Sequence, residues 1–292
     1  MSVSSIVLPD TRLRLLANAP PVIIVAAIAT VALAWNLSVG LKWQPALLPL
    51  LMAPTICFVI AAIYSTIRPN NVIAECSLYF GLWFLVPIFG TRLTHLINTL
   101  GYPLQDQLLA SWDAALGFRW IDWAEIISQH HLIRAVQEFA YSSHFWQPAV
   151  SIVIFAVWGP RGRNRELSTS MLIALVATLA ISAFFPAIGP ADTHGYQTGP
   201  ASIVQILRSN PGDTLTYVAI TWFPSFHTVM AVLFTLAHRG IWSFPIFLVL
   251  NAVMLTAVPY SGDHYLVDVI GGAVVAIGAF AVTRRALKSL DA

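Results

Sequence analysis

Apolar residues along this chain fall in long unbroken runs, not in the two-residue alternation of half-buried strands. A helix crosses a bilayer with about 20 mostly apolar residues. Eight runs reach or approach that length: 20–40, 46–66, 73–97, 139–158, 168–188, 223–238, 243–259 and 264–283. The sixth has 16 residues, roughly 24 Å of helix at the usual rise. Its ends are therefore expected to stop near the interface. Segment 98–138 holds no full span. It mixes Trp112, Trp120 and Trp123 with Asp113, Asp122 and Glu125, the pattern of helices lying at a membrane surface. No internal repeat or low-complexity tract is visible. The predicted fold class is all-α: a polytopic transmembrane helix bundle of about eight spans. Residues 1–72 are expected to form an N-terminal transmembrane hairpin. Residues 73–292 form a six-span core with 98–138 as its outer interfacial segment. The first run also fits a secretory signal, because Arg12 and Arg14 precede it and Ala32-Leu33-Ala34 resembles a cleavage site.

Composition narrows the class. The chain has 292 residues, 58% hydrophobic and 10% charged, against roughly a quarter charged in a soluble domain. A soluble globule and a disordered chain are both excluded. The net charge of +2 gives no footprint for nucleic acid. Cys57 and Cys76 lie in or beside apolar runs without metal-ligand spacing, so free thiols are expected.

The few charges set the orientation. With a cytoplasmic N-terminus and eight crossings, ten basic residues fall inside: Arg12, Arg14, Arg68, Arg161, Arg163, Arg165, Arg239, Arg284, Arg285 and Lys288. Five fall outside: Lys42, Arg92, Arg119, Arg134 and Arg208. The positive-inside rule favours this arrangement. Both termini are then cytoplasmic. The loops 98–138, 189–222 and 260–263 face the extracytoplasmic or luminal side, and long loops of this kind carry function.

Three polar residues sit at the outer ends of the last spans. His227 opens the sixth run within Pro224-Ser225-Phe226-His227. His264 and Asp268 open the eighth, four residues apart on one helix face. Two crossings and a turn separate His227 from His264, so all three can meet at one depth. Ionisable residues in spans are costly and functional by default. A carboxylate beside a histidine fixes its tautomer and stabilises its charged form. The two helix N-termini are expected to add unpaired N–H groups and positive dipole ends, a setting for phosphate. His264 can attack phosphorus, Asp268 can hold its ring and His227 can protonate the leaving oxygen. The same His-x-x-x-Asp with a second histidine also fits a zinc site, without a third ligand motif. His95, His130, His131, His144, His194 and His238, taken singly, read as interfacial or structural.

At these residues the chain resembles the type 2 phosphatidic acid phosphatase superfamily. More narrowly, it is similar to the inositol phosphorylceramide synthase (aureobasidin-resistance) branch. Pro224-Ser225-Phe226-His227 matches three of four positions of the family's Pro-Ser-Gly-His block. His264-Tyr265-Leu266-Val267-Asp268, running into Val269-Ile270-Gly271-Gly272, matches the last block. The aromatic Tyr265, and Gly90-Thr91-Arg92 followed by Asp106 and the Trp112-to-Trp120 segment, resemble the synthase branch. The resemblance covers about residues 73–285. It implies a six-helix phosphatase-type core acting on a lipid phosphate, with His264 as nucleophile, Asp268 as its partner and His227 as general acid. It implies no metal and no cofactor, and it leaves protein partners unspecified.

Two departures stand out. The family's Lys-x₆-Arg-Pro block is absent, since Arg68-Pro69 has no lysine at that spacing. The Ser-Arg pair that precedes the last histidine is Ala257-Val258 here. Phosphate needs charge-assisted donors, so Arg92 and then Arg208 are the candidate substrate-binding cations; Ser225 and Asp263 are further substrate-binding candidates, Asp263 to tune His264 or to bind an acceptor headgroup. The Phe185-to-Asp192 turn is expected to wall the site. A lipid carrier or flippase on the same fold and a zinc-dependent membrane hydrolase are the competing functions.

Overall fold

The computed structural model describes residues 18–42, 47–196, 200–209, 220 and 223–290. Thirteen α-helices run through them: α1 Ala19–Val39, α2 Leu47–Thr66, α3 Asn71–Asn98, α4 Asp106–Ala115, α5 Trp120–Gln129, α6 His131–Ser142, α7 Gln147–Val157, α8 Arg163–Phe184, α9 Pro190–Thr193, α10 Pro200–Ser209, α11 Phe226–Ala237, α12 Phe244–Ser261 and α13 Leu266–Leu290. No strand occurs among the described residues. The chain is an all-helical, multi-pass bundle. Among the described residues, six helices are long and apolar enough to span a membrane: α1, α2, α3, α8, α12 and α13. Arg12 and Arg14 lie outside the described residues, and Ala32-Leu33-Ala34 lies inside α1.

The two other expected spans are shorter apolar helices. The run 139–158 is broken by a 3₁₀ turn, Ser143–Phe145, between α6 and α7. Pro148 is the cause: it lacks an N–H donor and suits the first turn of a new helix. The run 223–238 yields only α11, 12 residues long. Pro224 and Ser225 precede it, with the Ser225 hydroxyl accepting the Thr228 N–H as an N-cap. At its far end, Arg163 donates to the Ala237 carbonyl at 2.7 Å.

Close helix approach depends on missing side chains. A Cβ at Gly81 of α3 would lie 2.6 Å from the Phe58 ring of α2. At Gly272 of α13 a Cβ would press into the Ser225 carbonyl oxygen and lie 2.8 Å from Thr228 Cβ. These glycines let α2 lie on α3 and α13 lie on the start of α11.

Charge separates the two ends of the bundle. At one end Arg239 pairs with Glu166 at 2.7 Å, and Arg284 stands 4.0 Å from the same carboxylate. At the other end gather the starts of α11 and α13, the ends of α8 and α12, and the short helices α4–α6. That second end carries His227 and His264, whereas His238 lies at the first, bonded to Ser151 and Ser243.

Candidate active site

Helix α13 brings its own carboxylate to the histidine that precedes it. His264 Nδ1 lies 3.0 Å from Asp268 Oδ2, and both side chains are buried, at 2% and 0% exposure. Asp268 Oδ2 also accepts the N–H of Tyr265 at 2.9 Å. This is the backward half of a capping box, with a third-position side chain bonding the backbone just before the helix. With Nδ1–H donating to the carboxylate, the proton sits on Nδ1 and Nε2 keeps a lone pair. Asp268 Oδ1 is buried without a hydrogen-bond partner among the described residues.

The second histidine arrives from α11. The main-chain N–H of Ser225 donates to the Asp268 carbonyl at 3.0 Å. That bond, with Gly272 beneath it, fixes the start of α11 against α13. The rings of His227 and His264 then stand 6.0 Å apart at 69°. Sequence spacing brought His227, His264, Asp268 and Ser225 together, and the structure does the same.

The expected anion site at the start of α13 is corrected. Its donors are already taken by protein: Asp113 of α4 accepts the N–H groups of Leu266 and Val267, each at 2.9 Å. A carboxylate there satisfies the helix dipole as phosphate would. Asp106, one α4 turn pair earlier, does related work. It accepts the N–H groups of Ile188 (3.1 Å) and Gly189 (3.1 Å) and the hydroxyl of Tyr265 (3.0 Å). Burial pushes both carboxyls above the usual carboxylate range, against the opposing pull of these hydrogen bonds. The short helix α4 thus clamps the 185–189 turn and the head of α13 into one unit. Trp120 of α5 adds a bond to the Pro259 carbonyl at 2.7 Å.

The remaining candidates lie around this centre. Asp263 has φ +53° and accepts the Ala191 N–H at 2.7 Å, anchoring α9 beside the His264 turn. Arg92 is buried in α3 and donates to the Lys42 carbonyl at 2.9 Å. Arg208 of α10 donates to the Tyr102 carbonyl at 2.7 Å. Those two bonds run to main chain and not to the histidines. Sequence reasoning missed Tyr141 and His144. Tyr141 Oη lies within 3.1 Å of both His227 ring nitrogens, and the His144 ring stands 4.8 Å from that of His227. No group of three or more His, Cys, Asp or Glu side chains among the described residues is arranged to hold a metal ion.

The arrangement offers a nucleophilic nitrogen, a carboxylate that stabilises its charged form, and a second imidazole at the distance of a bridged substrate. A family model described as PAP2 superfamily matches residues 107–282, more than half of the chain. No curated protein and no solved structure matches significantly.

Proposed function

The chain belongs to the PAP2 superfamily, and from that premise we propose that it is a membrane-embedded lipid phosphatase or phosphotransferase working through a phosphohistidine on His264. The observation that carries this reading is the buried His264–Asp268 pair with the His227 ring 6.0 Å away. His264 Nε2 attacks phosphorus while Asp268 stabilises the charged imidazole. His227 gives its proton to the departing oxygen. Water or an alcohol then attacks the phosphohistidine, with His227 taking the proton back.

A lipid substrate follows from the setting. Phe139, Phe145 and Trp146 flank the Tyr141–His144 side of the site and are exposed. Apolar side chains open to the bilayer beside a polar centre suit an amphiphile, its phosphate at the histidines and its tails along the bundle. Ser225 and Asp263 border the phosphate position. Arg92 and Arg208 are the candidate cations for the phosphate.

Within the superfamily we favour the inositol phosphorylceramide synthase-like branch, in which an alcohol accepts the phosphoryl group. The support is the Tyr265–Asp106 bond, which joins two residues of that branch's pattern. The bias of Lys and Arg toward the opposite end of the bundle supports an extracytoplasmic or luminal active site. Lipid mass spectrometry of membranes with wild-type protein, with His264→Ala and with neither tests the reading. A phospholipid-type species converted only by the wild type supports it. An unchanged lipid profile refutes it, and unchanged lipid moved between leaflets identifies a carrier.

A further inference from the structure

The two histidines of the site have different partners. His264 is paired with a carboxylate. His227 has none among the described residues; its ring nitrogens Nδ1 and Nε2 lie 3.1 and 3.0 Å from Tyr141 Oη, with ring centroids 4.7 Å apart. His144 closes the far side of this pair. Its ring stands edge-on to His227 at 4.8 Å and to Tyr141 at 5.4 Å. Its own Nδ1–H donates to the Tyr141 carbonyl at 2.6 Å, which fixes the ring. Gly262 shows how tightly the phenol is seated. A Cβ there would lie 3.0 Å from Tyr141 Oη and 2.9 Å from His264 Cδ2. The hydroxyl therefore stands at the junction of the two histidines.

Partner chemistry separates their roles. A carboxylate stabilises the positive charge that appears on the His264 ring only when its Nε2 bonds phosphorus. A phenol is neutral and bonds in both directions. It accepts the N–H of the ring nitrogen that faces it, both while the ring is charged and after the other nitrogen has given up its proton. That is the partner required by a group that gives a proton and takes it back. We propose that Tyr141, buttressed by His144, is the positioning residue of the general acid His227. The proposal rests on the function proposed above. In the first step the His264 Nε2–P bond forms and the P–O bond breaks, and the His227 proton goes to the departing oxygen. In the second, the attacking hydroxyl loses its proton to neutral His227 as the N–P bond breaks. Tyr141 keeps one ring nitrogen aimed at those oxygens in both states.

The test uses two phosphate substrates of like tail, one with an alkoxide leaving group and one with p-nitrophenolate, which departs without a proton. Full-length wild type, Tyr141→Phe and His144→Phe are compared in detergent micelles. General acid catalysis contributes about 10²–10⁴-fold. Loss of its positioning is expected to lower kcat on the alkyl substrate about 10–100-fold, with KM little changed. The ratio of the alkyl to the nitrophenyl rate of phosphohistidine formation, read in a single turnover, should fall at least about tenfold, because the later dephosphorylation is common to both substrates. The alkyl pH–rate profile should also shift on its alkaline limb. The groups facing His227 that shape this limb are Tyr141, His144 and His264 with its Asp268. Formation of phosphohistidine from the nitrophenyl substrate by Tyr141→Phe shows that the variant is folded. Equal losses on both substrates in that first step, or no loss on either, would overturn the assignment of Tyr141. Wild-type inactivity on both would overturn the proposed function itself and the assignment with it.

Discussion

Gly272→Ala tests whether the site depends on the seating of α13 against α11. The added Cβ would lie 2.8 Å from Thr228 Cβ and would press into the Ser225 carbonyl oxygen. Ordinary carbon–carbon contact needs about 3.5–4.0 Å, so the helices must part by about 1 Å. Neither neighbour can step aside: one is backbone and the other is a β-branched residue in the first turn of α11. Overpacking of this kind costs about 1–3 kcal/mol. The chemical cost is larger. The Ser225 N–H to Asp268 carbonyl bond, now 3.0 Å, stretches, and the 6.0 Å spacing of the two histidine rings widens. A misplacement of about 1 Å can cost about 10²-fold in rate. Gly278→Ala is the control on the same helix. Nothing lies within 4 Å of its Cβ position, and replacing a helical glycine by alanine stabilises by about 0.5–1 kcal/mol. The assay pairs kcat for phosphate release with thermal unfolding in detergent. A Gly272→Ala protein with wild-type kcat and wild-type Tm would refute the reasoning.

Other substitutions separate the roles of the carboxylates. Asp113→Ala removes two charge-assisted bonds to α13 and should cost about 2–4 kcal/mol, given about 1.5–3 kcal/mol per bond less the relief of a buried charge; chemical denaturation measures it. Asp268→Asn keeps an oxygen to accept the Tyr265 N–H and His264 Nδ1–H but removes the negative charge that stabilises the imidazolium, and kcat should fall about 10³–10⁴-fold with little change in Tm. Asp106 has its pKa raised by burial, so it binds a proton more tightly folded than unfolded. Its contribution to stability is complete below the unfolded carboxylate pKa and declines as pH rises through the folded one. Asp106→Asn should therefore flatten the slope of Tm against pH in the range just above pH 4, whatever its effect on Tm itself.

Much of the fold was legible because spanning helices are set by local composition. α1, α2 and α3 fall within two residues of their expected bounds. The fourth expected span differs because hydropathy does not register Pro148, whose missing N–H starts a new helix inside an apolar run. His264 and Asp268 were legible from one periodicity, four residues on one face. His227 needed only a count of crossings. Asp113, Tyr141 and Gly272 carried no such signal. Asp113 meets α13 across 153 residues of sequence, and Tyr141 meets His227 across 86. Nothing local marks either pairing. An unpaired helix N-terminus was a sound local expectation at α13; a distant carboxylate filled it. His144 read as an ordinary interfacial histidine because its meaning depends on Tyr141 beside it.

The central claim is that His264 carries the phosphoryl group. Purified full-length protein, incubated with a labelled phosphate substrate and quenched rapidly under alkaline conditions, answers it by peptide mass spectrometry. A phosphoryl group on His264, absent in His264→Ala and longer-lived in His227→Ala, is the predicted result. Turnover of the same substrate by His264→Ala at the wild-type rate would contradict it.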